Sequence, residues 1–198
     1  MIIVTDNGCS NCGLYQNQLP LLDSRYSLCD VLWVGLSAKM IKARGESAPL
    51  GADTNSGKII NRIEGDLNNH VFAKTNLVKC APLDQDNKLR YPTYKEMKSC
   101  FCHLQNEVAN LGPRLVFLLG LKVATFVLRE KDVQIPSLDS EFNYGICEYD
   151  NVSFVPIHHP SFIHIYKRRQ LDQYISKVQA IISQTLDTSV IHVSGKAS

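Results

Sequence analysis

No stretch of this chain approaches the apolar length needed to span a membrane, and its first residues lack the basic-then-apolar order of a secretory signal. Both absences point to a cytoplasmic protein. Internal repeats and low-complexity tracts are also missing, which excludes solenoids and disordered arrays. Charge of one sign is scarce: 21 Lys and Arg against 19 Asp and Glu leave a net +2. Bulk charge therefore argues neither for nor against nucleic acid, and what matters is where the positive residues cluster. What is present is a globular composition, 44% hydrophobic and 20% charged over 198 residues. That suffices for one well-filled core, and the expected organisation is a single domain over residues 1–188 with a flexible tail over 189–198.

Seven cysteines are many for such a chain, and the odd count excludes a complete intramolecular disulfide set. Metal or cluster ligation is the better reading for some of them. Cys9-Ser10-Asn11-Cys12, flanked by Gly8 and Gly13, is a turn that points two thiolates at one place. It suits zinc, an iron–sulfur cluster or a redox pair. The redox reading wants a strand–helix setting, and only Ile2-Ile3-Val4 precedes the motif. Zinc wants two further ligands.

Along the chain, apolar runs at 29–35, 114–120 and 152–157 read as buried strands, the first stopped by Gly35. Shorter strand signals stand at Val71-Phe72 and at Leu77-Val78. Helices are expected over 58–63, from Thr93 to Leu111 (ended by Gly112-Pro113), over 121–128 and over 167–185, the last from the spacing of Leu171, Tyr174, Ile175, Val178 and Ile182. A hairpin is expected around Gly145. Alternating strands and helices give an α/β three-layer sandwich: a central, mostly parallel four-stranded sheet with helices on both faces. The loop after the first strand (Leu36 to Met40) lies where open α/β sheets place ligands, and the long polar loop over 48–57 suits phosphate or base contact.

The centre of the sequence is the stretch over 74–100. Leu77-Val78 carries a strand to Lys79 and Cys80, Pro82 stops it, and Tyr91-Pro92-Thr93 starts a helix that delivers Cys100. In order, Cys9-x-x-Cys12, Thr75-Asn76-Leu77-Val78-Lys79-Cys80-Ala81-Pro82, Pro92-Thr93-x-x-Glu96-x-x-x-Cys100, Leu118-Leu119-Gly120 and His159-Pro160-Ser161 resemble the uracil-DNA glycosylase superfamily. Within it they are most similar to the iron–sulfur families four and five, from Cys9 to about Tyr174. The resemblance implies a [4Fe-4S] cluster on Cys9, Cys12, Cys80 and Cys100, with Cys100 preferred to Cys102 because it stands four after Glu96. Zinc on the same ligands is the alternative. Cys29, Cys102 and Cys147 are read as thiols without a role.

The resemblance also implies site roles. His159 contacts the flipped base and stabilises the charge that develops on it, and Asn76 reads the base edge with its carboxamide. Ser161 with Lys167, Arg168 and Arg169 lies where the family presses a loop into the duplex, although basic residues opening an amphipathic helix also suit a solvated face. Two departures bear on substrate. Gly35-Leu36-Ser37-Ala38-Lys39 lacks the acid of family four and is closer to family five, which makes Asp53 the expected catalytic carboxylate. Leu50 replaces the aromatic residue that stacks on uracil, so the pocket of Gly35, Leu36, Ser37 and Leu50 suits a wider base. A Schiff-base role for Lys39 is a further possibility.

The expectation is a monomeric, monofunctional DNA glycosylase acting on a modified pyrimidine in single- or double-stranded DNA. Glucosylated hydroxymethylcytosine of phage genomes is the candidate, which would make the enzyme antiviral. Uracil repair, a catalytically silent DNA binder and a zinc-stabilised interaction module are the rival readings.

Overall fold

The computed structural model describes residues 9, 12–18, 20–21, 27–40 and 48–187. The Ile2-Ile3-Val4 stretch and the tail over 189–198 lie outside them. The order of elements is β1 (Val31–Ser37), α1 (Asn55–Gly65), β2 (Phe72–Val78), α2 (Tyr94–Leu111), β3 (Leu115–Leu119), α3 (Leu121–Glu130), β4 (Cys147–Tyr149), β5 (Val152–Ile157), α4 (Pro160–Tyr166) and α5 (Leu171–Asp187). The sheet runs β2-β1-β3-β5-β4, parallel throughout except for the β4–β5 pair.

Both faces of the sheet are covered, which is why β1, β3 and β5 read as unbroken apolar runs. Alternate residues divide between two cores. Leu32, Val34, Val116, Leu118 and Phe154 pack under α2 and α3. Val31, Trp33, Leu115, Phe117, Val155 and Ile157 pack under α1 and α5. Trp33 stacks on Phe117 across the β1–β3 pair at 4.5 Å between centroids. The spacing read for α5 is the buried stripe of Tyr174, Ile175, Val178 and Ile182. Among the described residues no helix is long and apolar enough to cross a membrane.

The α/β sandwich stands, with corrections in detail. Among the described residues the sheet has five strands rather than the expected four. The extra strand is β4, and its hairpin turns at Asp150-Asn151, both at positive φ (51° and 61°), rather than at Gly145. Asp and Asn tolerate the left-handed region, so the pair makes a two-residue turn without glycine. Gly145 instead gives room for Pro136, whose Cβ would stand 3.0 Å from a Cβ there. The two strand signals around 71 and 78 belong to one strand, β2, because Lys74, Thr75 and Asn76 between them pair in register with β1. Nor does Gly35 stop β1, which runs on to Ser37. Helix α4, between β5 and α5, had no sequence signal of its own beyond Pro160 at its first turn.

Caps fix the helices that frame the site. Thr54 Oγ1 accepts from Gly57 N at 2.9 Å to start α1. Thr93 and Glu96 form a reciprocal capping box at α2, with Glu96 N donating to Thr93 Oγ1 (3.2 Å) and Thr93 N to Glu96 Oε2 (2.7 Å). Arg90 grips the same carboxylate through two hydrogen bonds of 2.9 and 2.6 Å, holding Glu96 below the usual carboxylate pKa.

Candidate active site

The C-terminal ends of β1, β2 and β5 meet at a cavity of about 230 Å³, lined among others by Leu36, Ser37, Leu50, Asn76 and His159. The chain goes to β2 on one side of β1 and to β3 on the other, and the crevice lies where open α/β sheets bind ligands. A larger cavity of about 370 Å³ between α2, α3 and the β4–β5 hairpin holds none of the expected site residues.

Asn76 is buried in the sheet, yet its carboxamide has no hydrogen bond among the described residues and lines the cavity. The amide atoms open to the cavity, so both the donor and the acceptor can take a partner that enters. Gly35 is its neighbour in register, and a Cβ at Gly35 would overlap Asn76 Oδ1. Leu50 closes the other side, with Cδ2 at 3.1 Å from that same Cβ position. Leu50 has φ 51°, an uncommon conformation for a bulky residue, and such positions gather at functional sites. The strain is held by packing: a Cβ on Gly57 would overlap the carbonyls of Leu50 and Gly51, so α1 presses directly on this turn.

His159 ends β5 and caps α4. Its Nδ1 accepts from Ser161 N at 3.3 Å and lies 2.7 Å from Ser161 Oγ. A backbone N–H can only donate, so Nδ1 is the acceptor and the proton of the neutral ring sits on Nε2. Burial pushes its pKa below the ordinary value, keeping the ring neutral. Gly120 lets the ring in: a Cβ there would lie 3.3 Å from His159 Cβ. The serine thus engages the histidine it follows, a relationship spacing alone did not reveal.

Asp53 stands at the exposed rim, ion-paired with Lys39, whose hydrogen bond lowers the carboxyl pKa. The sequence singled out both residues but not their contact. Beyond α4, Arg168 and Arg169 are exposed in a 3-10 turn, whereas Lys167 Nζ donates to Ser140 O (3.2 Å) and lies over the Phe142 ring. Phe162, Ile165 and Tyr166 leave an apolar face exposed on α4. His158 was not foreseen: Nδ1 lies 2.8 Å from Tyr144 Oη, and Tyr174 Oη donates to its carbonyl (2.9 Å).

Cys9, Cys12, Cys80 and Cys100 come together beside the end of β2. Burial raises the Cys80 and Cys100 thiols to about 12 and about 11, and in each case Cys9 and Cys12 add to the rise. Among the described residues no three His, Cys, Asp or Glu side chains are grouped to hold a single ion. The donor set is all thiol, the ligand type that an iron–sulfur cluster takes and that zinc also accepts. The segments such a cluster would join already dock: Asn17 Nδ2 donates to Ala81 O (2.8 Å) and Leu21 N to Lys79 O (2.7 Å). Cys100 is buried and accepts from Lys79 N (3.3 Å), whereas Cys102 is exposed.

The family model of the uracil DNA glycosylase superfamily matches residues 30–182. The chain belongs to that superfamily. Members of the uracil DNA glycosylase superfamily are DNA glycosylases, hydrolases of N-glycosyl bonds in DNA. The crystal structure of wild-type Pedobacter heparinus SMUG2 is similar in fold, with a TM-score of 0.53 and 13% identity over 79% of this chain and 76% of that one. No curated protein matches the sequence. The matched residues contain Asn76, Cys80, Cys100 and His159, while Cys9 and Cys12 precede them.

Proposed function

We propose that this chain is a monofunctional DNA glycosylase that takes a modified pyrimidine out of the stack and hydrolyses its N-glycosidic bond, leaving an abasic site. The observation that carries the reading is the pairing of an unpartnered Asn76 carboxamide with a neutral His159 in one cavity. An extruded base presents a donor–acceptor edge, which the amide matches. As the bond breaks, negative charge grows on the base, and His159 Nε2–H donates to it. A preformed donor of this kind contributes about 10²–10³-fold in rate. The sugar becomes cationic, and Asp53 at the rim orients water toward it, with Lys39 fixing the carboxylate. Arg168 and Arg169 meet phosphates of the kinked strand, and Ser161 holds His159 in the right tautomer.

Leu50 in place of a stacking ring favours a base broader than uracil. Glucosylated hydroxymethylcytosine is the substrate we favour, with phage defence as the setting and a cytoplasmic monomer as the form. Cys9, Cys12, Cys80 and Cys100 would hold a [4Fe-4S] cluster, which when bound supplies a cross-link between the N-terminal segment, the end of β2 and α2.

The test is abasic-site formation on single-lesion DNAs carrying uracil, hypoxanthine, hydroxymethyluracil or glucosylated hydroxymethylcytosine. Alkali-sensitive breaks only at the glucosylated base support the proposal in full. Breaks at uracil make the chain a repair enzyme. Silence with DNA binding intact leaves a non-catalytic binder.

A further inference from the structure

Lys79 carries a wholly buried ammonium next to the proposed base-reading residue. A buried charge is costly unless all its protons are matched. Here all three are. Nζ donates to Thr75 Oγ1 at 2.7 Å, to the Asn76 carbonyl at 2.6 Å and to Glu107 Oε2 at 2.5 Å. Glu107 reaches in from α2, and Thr75 Oγ1 donates to its two oxygens at 2.8 and 3.0 Å. The three side chains form a closed triangle, and its one outward hydrogen bond from Nζ goes to the backbone of Asn76.

Stability alone does not account for this arrangement, because apolar residues of the same volume commonly serve as well as a buried ion pair. What the triangle adds is one fixed geometry. Asn76 lies on a strand whose neighbour, Gly35, leaves just the space its Oδ1 occupies, so a small shift of the backbone moves the carboxamide out of register with the cavity. We infer that Lys79, held by Glu107 and Thr75, is a positioning residue that fixes the Asn76 backbone and so aims its carboxamide at the extruded base. This rests on the glycosylase reading above.

The test is a double-mutant cycle on single-turnover excision, using the base that the wild-type chain accepts. Lys79→Met, Glu107→Gln and Thr75→Val are made alone and each combined with Asn76→Ala. The single changes are expected to slow excision about ten- to hundredfold, the range that small misplacements of a positioned group produce, with KM for DNA unchanged. On the Asn76→Ala background they are expected to cost nothing further, because the group they position is gone. Equal losses on both backgrounds, or no loss from any single change, overturn the inference. If Lys79→Met does not fold, the milder Glu107→Gln and Thr75→Val carry the cycle. If the wild-type chain excises no base, the functional reading fails by itself, and crystal structures of those two variants decide the positioning role. A carboxamide displaced from the cavity supports it, and an unmoved one overturns it.

Discussion

Gly35 and Asn76 stand opposite each other in the parallel β1–β2 pair, and the space that a Cβ on Gly35 would fill is taken by Asn76 Oδ1. Glycine here serves close approach rather than a turn, since its backbone continues the strand. A polar side chain is thereby held deep at the sheet's C-terminal edge with no hydrogen-bond partner for its carboxamide among the described residues.

Gly35→Ala therefore aims at function while leaving the cores alone. The new methyl overlaps Oδ1 and crowds Leu50, so the carboxamide rotates or the strands part. The expected result is a loss of excision of about 10²-fold, as for a misplaced catalytic group, with the melting temperature little changed. Activity within twofold of wild type would show that the amide is not used as proposed.

Much of this was legible in the sequence, for identifiable reasons. The buried strands announced themselves because both faces are covered, and α2 because Thr93-x-x-Glu96 is a capping box. Asn76, Leu50 and His159 were placed by motif, and the chain brings them to one cavity. Contacts between distant residues were not legible. Nothing in Lys39 or Asp53 alone predicts their ion pair, nor does Lys79 announce a hydrogen bond to a carbonyl three residues back. The β4 strand was missed because the hairpin was expected around Gly145, whereas the chain turns at Asp150-Asn151, without a glycine to mark it.

The Lys39–Asp53 pair separates two chemistries. A lysine engaged as an ammonium has no lone pair to attack the sugar carbon, so the product should be an intact strand with an abasic site. Borohydride added during turnover is expected to trap no protein–DNA adduct. Asp53→Asn should slow excision by about 10²-fold, a magnitude ordinary for removing one electrostatic stabiliser. An adduct that disappears in Lys39→Met would instead make the lysine a nucleophile.

Acid should weaken the fold through its half-buried histidines. Burial lowers the pKa of both His158 and His159 from 6.5. Between that value and the lower folded one, the unfolded chain binds protons that the folded chain does not. Stability therefore rises with pH across this window and is lost as pH falls through it. Urea midpoints measured at about pH 7.5 and about pH 5.5 should differ, the acid one being lower. Replacing both histidines by Gln should shrink the difference, leaving the part due to His103, which burial also lowers, and a midpoint already independent of pH in the wild-type chain would contradict the burial argument.

The choice between Cys100 and Cys102 gives the sharpest test of the metal reading. The two lie two residues apart on α2 and so face different ways, a period of 3.6 placing them about 200° apart. Cys100 is buried toward Cys80 and accepts the Lys79 N–H, an interaction that favours thiolate and so favours ligation. The exposed Cys102 thiol lies 3.6 Å from the Ser99 carbonyl on its own helix. Purified without air, the wild-type chain should contain iron and acid-labile sulfide in equal amounts and absorb visible light. Cys100→Ser should lose all three, whereas Cys102→Ser should keep them, because only the first removes a ligand. Zinc in place of iron would leave the protein colourless and would fail at Cys100 alike, so metal analysis distinguishes the two. Iron retained in Cys100→Ser but lost in Cys102→Ser would reverse the helix register assigned to the site.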